Sequence, residues 1–166
     1  MTYDNFTIKA QESILKAQQI AAGLDQQQVD TVHLIKGILE TDESVDGFLL
    51  GKSDVNLDML RRKLDEAVLK YPKVEGSDKQ FLTNDANKSL SRAKALLKEF
   101  GDQYISVELV LMGILQGDDS GAKLLKELGA NEQLMRGAIT ELRKGRKVTD
   151  QSSDDSYNAL AKYAVN

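Results

Sequence analysis

Apolar residues recur along most of this chain at intervals of three and four. Ile14, Ala17, Ala21 and Leu24 keep that spacing, with Lys16, Gln18 and Gln19 between them. Leu57, Leu60, Leu64, Ala67 and Val68 do the same, with Arg61, Arg62, Lys63, Asp65 and Glu66 on the other faces. This period lays one apolar stripe along a helix and leaves charge on the opposite side. No segment of five or more residues alternates as a half-buried strand would. Leucine and alanine far outnumber valine and isoleucine, and Pro72 is the single proline. Both facts favour helix over sheet. The pattern predicts an all-α protein.

The pattern also repeats. Displaced by 76 residues, Thr7 falls on Thr83, Ala10 on Ala86, Ser13 on Ser89 and Ala17 on Ala93. Gly37-Ile38-Leu39 falls on Gly113-Ile114-Leu115, and Phe48-Leu49 on Leu124-Leu125. After a one-residue slip, Asn56 meets Asn131 and Arg61 meets Arg136. Helix-start residues repeat with it: Thr7 and Thr83, Thr31 and Ser106, Ser44 and Ser120, Asn56 and Asn131. Each can accept a bond from an otherwise unpaired backbone N–H. Gly23, Gly101, Gly117 and Gly129 stand where helices would stop. Each unit therefore reads as four helices, and two units stack into one eight-helix domain over about 1–145. Repeat one covers about 5–72 and repeat two about 82–145, with a polar connector, Tyr71–Asp78, between them.

The end of the chain breaks the pattern. Gly145–Asp155 lacks apolar periodicity and reads as a mobile linker. Tyr157, Leu160, Ala161, Tyr163, Ala164 and Val165 then begin a new helical pattern. Residues 146–166 are expected to be a flexible linker and the first turns of a further domain.

Composition narrows the chemistry. No cysteine and one histidine, His33, exclude a disulfide framework, a thiolate zinc site and a multi-histidine metal centre within the chain. The 22 basic and 26 acidic residues leave a net charge of −4, against a dedicated nucleic-acid binder. No apolar run approaches the length of a membrane span. A cytoplasmic protein without nucleic-acid or membrane partners is expected. Asp46–Ser53 has the look of a phosphate loop, but three residues separate its glycines and Asp46 stands where a glycine is required. His33, near the start of a mostly apolar helix, reads as a packing or capping residue rather than a base. The run Arg143–Lys147 ends a helix, where positive charge suits the macrodipole. No catalytic residue, metal site or cofactor site is expected here.

What remains is surface for a protein partner. In the second unit, Leu90, Ala93, Leu96 and Leu97 line one helix face, and Tyr104, Ile105, Leu109 and Val110 follow across a short loop flanked by Asp102 and Glu108. Burial in a core is the default for such residues. A binding groove requires three or four of them to stay partly exposed, rimmed by the carboxylates.

These residues carry a resemblance. Asn5–Glu12 resembles the opening of the ClpB family of ring-forming AAA+ disaggregase chaperones. Thr31-Val32-His33-Leu34 and Ser106-Val107-Glu108-Leu109 resemble the paired "EHLL"-type signatures of the Clp N-terminal repeat. Gly145–Gln151 with Tyr157–Tyr163 is similar to that family's linker into its first ATPase domain. The resemblance implies a pseudo-twofold, eight-helix accessory module that engages apolar segments of unfolded or aggregated proteins and hands them to the ring. The parent it implies is a homohexamer that hydrolyses ATP with Mg in other domains and cooperates with the DnaK system. Its substrate-responsive positions would fall on Thr7, Asp102 and Glu108, and its groove near Leu90, Leu96, Leu97, Tyr104 and Leu109. The alternative is the adaptor-docking N-terminal domain of a Clp protease chaperone subunit of ClpC or ClpA type.

Overall fold

A computed structural model of the chain describes residues 3–42, 45–76 and 78–153. Among them run seven α-helices: α1 (Ile8–Gly23), α2 (Thr31–Thr41), α3 (Leu57–Val68), α4 (Asn84–Phe100), α5 (Val107–Leu115), α6 (Ser120–Glu127) and α7 (Glu132–Arg143). A π-helical turn, Val45–Leu50, and a 3-10 turn, Gly51–Ser53, take the place of a third helix in the first repeat. Each repeat thus carries four helical segments. The slip between the repeats has a structural cause. Val55 N–H bonds the Leu50 carbonyl, and Ala130 N–H bonds the Leu125 carbonyl. The register has therefore already shifted by one at Leu50, and the extra residue sits in the π turn, the form a one-residue insertion in a helix takes.

Four helix starts are as read. Thr7, Thr83, Asn56 and Asn131 each accept a backbone N–H three residues on. Three differ. Asp30 rather than Thr31 caps α2, Asp119 rather than Ser120 caps α6, and Ser106, at the N-cap of α5, makes no cap bond with its side chain. The Thr31 hydroxyl is used between the repeats instead: it donates to Asp119 Oδ1 at 2.8 Å and accepts from Gly121 N–H at 3.0 Å. Gly101 and Gly129 adopt the left-handed conformation expected of a stop. In repeat one that role passes to Asp25, φ 59°. Ser44 and the helical pattern at 157–165 lie outside the described residues.

The repeats exchange chain ends. The segment before α4 forms β2 (Phe81–Leu82), which pairs in parallel with β1 (Gln28–Val29) in the α1–α2 loop. The segment before α1 does the same to the α4–α5 loop, through a parallel bridge between Phe6 and Ile105. Thr7 N–H bonds the Ile105 carbonyl at 2.9 Å, and Thr83 N–H bonds the Val29 carbonyl at 3.0 Å. Each repeat lends an extended segment to the other.

Asp30 is the polar centre of this seam. Its carboxylate accepts from Thr83 Oγ1 at 2.7 Å, from Tyr71 Oη and from Ser120 Oγ. Burial and the neighbouring carboxylate push the Tyr71 phenol up. Asp30 N–H donates to His33 Nδ1 at 3.1 Å, which places the ring proton on Nε2, 2.8 Å from Gln26 Oε1. His33 is therefore a capping-box residue, and it is fully buried. Protonating Nδ1 would set a donor against the Asp30 N–H. Burial pulls its pKa down to about 4 despite the opposing pull of Asp30. Between pH 6.5 and 4 the unfolded chain takes up a proton that the folded chain refuses, so stability falls with pH there, by up to about 3 kcal/mol. His33→Gln keeps a capping-box side chain that does not titrate. Denaturant melts at pH 7 and pH 4.5 should show a smaller acid loss in this variant than in the parent.

The core runs through both repeats. All of α5 is buried, as are the inward stripes of α1 and α4. One expected feature is replaced. The stretch after α7, read as a mobile linker, is docked as far as Gln151. Lys144 and Gly145, both left-handed, turn it back, and Val148 is fully buried. The folded unit therefore extends beyond the expected boundary at 145.

Candidate functional site

The candidate groove residues converge on the α4–α5 loop, residues 101–106. Gly101 ends α4 in the left-handed conformation, and Asp102 N–H bonds the Leu97 carbonyl at 2.9 Å. That turn aims the Asp102 side chain inward at the end of α7. Arg143 Nη1 lies 2.9 Å from Asp102 Oδ1 and 2.7 Å from Oδ2. Arg143 Nη2 donates to Ser106 Oγ at 3.1 Å and to Glu108 Oε2 at 3.3 Å. The guanidinium also stands 5.2 Å from the Phe100 ring centre. One arginine thus holds two buried carboxylates, and the arrangement is structural: it ties the end of α7 to the α4–α5 loop and the first turn of α5.

This corrects the expected trough. Leu90, Leu96 and Leu109 are core residues. α4 buries its stripe against α5, and α5 has no solvent face, so a leucine on their contact has no exposed side. Asp102 and Glu108 face Arg143, not a rim. Thr7 is buried as the cap of α1. Of the expected groove, Leu97 and Tyr104 alone remain partly exposed, both packed against the core.

Arg143 was not anticipated as a site residue. A signal was present. By the internal repeat, Gln26, Val32 and Val68 stand where Asp102, Glu108 and Arg143 stand in the second unit. Three coordinated changes from neutral to charged mark a buried ion cluster. In repeat one, Gln26 does the corresponding work with neutral groups, donating to the Val68 and Tyr71 carbonyls.

The docked segment lies beside this cluster. Val148 N–H donates to Asp102 Oδ1 at 3.0 Å, and the Val148 carbonyl accepts from Gln103 N–H at 2.7 Å. Lys147 Nζ donates to the Phe100 carbonyl. Farther on, the Gln151 carbonyl accepts from Ile8 N–H at 2.8 Å, and the Gln151 side chain donates to the Asp4 carbonyl at 3.0 Å. Residues 146–151 form a strap from α7 across the α4–α5 loop to the start of α1. Partly exposed apolar side chains stand at or next to its anchors: Tyr3, Ile8 (44% exposed), Phe100 and Tyr104. Among the described residues, no three His, Cys, Asp or Glu side chains gather as a metal would need, and no helix is long and apolar enough to cross a membrane.

Comparison with known proteins agrees with this architecture. Residues 5–128 match the Clp repeat N-terminal domain family. The chain is 36% identical over 166 residues to the chaperone protein ClpB of Bacteroides thetaiotaomicron, covering 100% of this chain and 19% of that protein. It is 38% identical over 166 residues to ClpB of Porphyromonas gingivalis, with the same coverage, 100% and 19%. It thus spans about a fifth of the length of these curated relatives. The Hsp104 N-terminal domain from Candida albicans shares the fold, with a TM-score of 0.77 at 20% identity over 90% of this chain and 99% of that one. The N-terminal domain of the chaperone ClpD from Arabidopsis thaliana has a TM-score of 0.63 at 26% identity over 86% and 97%. The duplicated four-helix unit, the reciprocal exchange of chain ends and the match over most of the sequence lead to one conclusion: this chain belongs to the Clp repeat N-terminal domain family.

Proposed function

We propose that this module binds apolar segments of unfolded or aggregated polypeptides on behalf of an ATP-dependent, hexameric disaggregase, and passes them to its ring. The observation that carries the reading is the partly exposed apolar group around the strap, Tyr3, Ile8, Phe100 and Tyr104, on a domain similar to the N-terminal part of ClpB chaperones. Chemistry with ATP and Mg, hexamer formation, cooperation with a DnaK-type chaperone and a cytoplasmic setting belong, on this reading, to the whole parent. A client covering about 300 Å² of apolar area gains about 7 kcal/mol before the cost of ordering it. Net affinity then falls between about 1 mM and 1 μM. Weak binding suits a receptor that must release what it holds.

The test is fluorescence anisotropy of labelled, unfolded casein titrated with this chain, and with Tyr104→Ser. Saturable binding in that range is expected, several-fold weaker in the variant, with helical circular dichroism unchanged. Absence of binding to the unfolded client, or equal binding of a labelled, stably folded control protein, contradicts the proposal.

A further inference from the structure

The strap meets the α4–α5 loop as an extended polypeptide from another chain would. One apolar side chain, Val148, is buried, and its backbone is bonded on both sides, N–H to Asp102 Oδ1 and carbonyl to Gln103 N–H. It shares two features with the recognition of extended peptides: bonds to the segment's main chain, here from one backbone amide and one carboxylate, and a pocket for one side chain. The loop already accepts one extended segment on its other edge, where Ile105 pairs with Phe6.

The corresponding place in repeat one is also filled, by the connector: Val74 N–H bonds the Asp25 carbonyl, and Lys73 bridges to Gln26. There the segment is fixed at both ends, because it joins α3 to α4. The strap after α7 leads out of the last helix instead of joining two helices. It has one fully buried side chain, a short set of hydrogen bonds and a left-handed hinge at Lys144-Gly145. Segments held by few buried contacts open at low cost while the rest of a domain stays folded.

We propose that residues 146–151 are an internal competitor for extended polypeptide. The strap occupies the edge at Asp102–Gln103, and a client segment with a small apolar residue takes that edge when the strap lifts. This inference rests on the client-binding reading above and adds its regulation. Docked, the strap keeps the module close to whatever follows it. Lifted, its six residues give up to about 20 Å of further reach.

Val148→Asp places a charge where the buried valine sits and should hold the strap off, and Val148→Ala should loosen it. Two measurements are made on the whole chain. Amide hydrogen exchange should accelerate at Gln103 and Ile8, which lose their carbonyl acceptors in the strap, while amides within α2 and α5 keep their protection. Affinity for unfolded casein should rise at least threefold in Val148→Asp and less in Val148→Ala. Casein binding unchanged or weaker in both variants, with the helical core still protected, overturns the competition and leaves client binding standing. No casein binding by the parent chain or either variant overturns both. Should Val148→Asp lose α5 protection, Val148→Ala decides alone. Loss of α5 protection in that variant too would make the strap part of the core and overturn the proposal.

Discussion

Replacing Gly113 with alanine should lower stability by about 2 kcal/mol, although alanine is by far the better helix former. A β-carbon at Gly113 would meet the Ser89 carbonyl oxygen and stand 2.9 Å from Ala93 N. Gly37 is in the same position against the Ser13 carbonyl and Ala17 N, also at 2.9 Å. In both repeats the first two helices cross backbone to backbone, and only glycine permits the approach. The obstacle is main chain, so no rotamer change relieves it, and the helices must separate within a packed core. Overpacking of this kind costs about 1–3 kcal/mol and occasionally more. The propensity gain of about 1 kcal/mol opposes it and is outweighed. Gly137 supplies the control. It lies in α7 with nothing within 4 Å of a β-carbon. Gly137→Ala should stabilise by about 0.5–1 kcal/mol. Opposite signs for one substitution in two helices, measured by urea unfolding, would establish the close crossing.

The second large effect lies at Arg143. Arg143→Met removes the cation shared by Asp102 and Glu108 and leaves both carboxylates buried beside each other. Breaking a buried ion pair from one side costs about 3–5 kcal/mol. In a domain of this size that lowers the melting temperature by about 10 °C. Repeat one suggests the remedy. The triple variant Asp102→Gln, Glu108→Val, Arg143→Val installs what stands at Gln26, Val32 and Val68. It should recover most of the loss, since buried ion clusters can be exchanged for neutral groups of similar size at little net cost. If Arg143→Met melts like the parent, the cluster is not what ties α7 to the α4–α5 loop. These carboxylates cannot be read as a binding rim: reversing either charge would set a cation against Arg143, and the helical signal would fall with any change in binding.

Much of this was legible in the chain because it is local. An N-cap needs only its own oxygen and an amide three residues on, so Thr7, Thr83, Asn56 and Asn131 could be placed directly. The Gly37 and Gly113 match was visible as repetition, though its reason, the close crossing, needs the partner helix. Asp30 displaced Thr31 as a cap because the threonine hydroxyl has a partner 88 residues away. Burial of Leu90, Leu96 and Leu109 follows from α5 being apolar at every position but Glu108, a pattern that itself marks a core helix. Val148 gave no periodic signal. A single valine in a polar stretch docks only because Asp102 and Gln103, some 45 residues earlier, offer an acceptor and a donor.

The client-binding face can be located by amide chemical-shift mapping of the isotope-labelled chain during titration with unfolded casein. Perturbations should gather at Tyr3, Ile8, Gln103, Tyr104 and Val148 and saturate together. A spectrum that does not move, or one that moves only along the groove lined by Ile20, Leu24 and Leu69 between α1 and α3, would contradict this account.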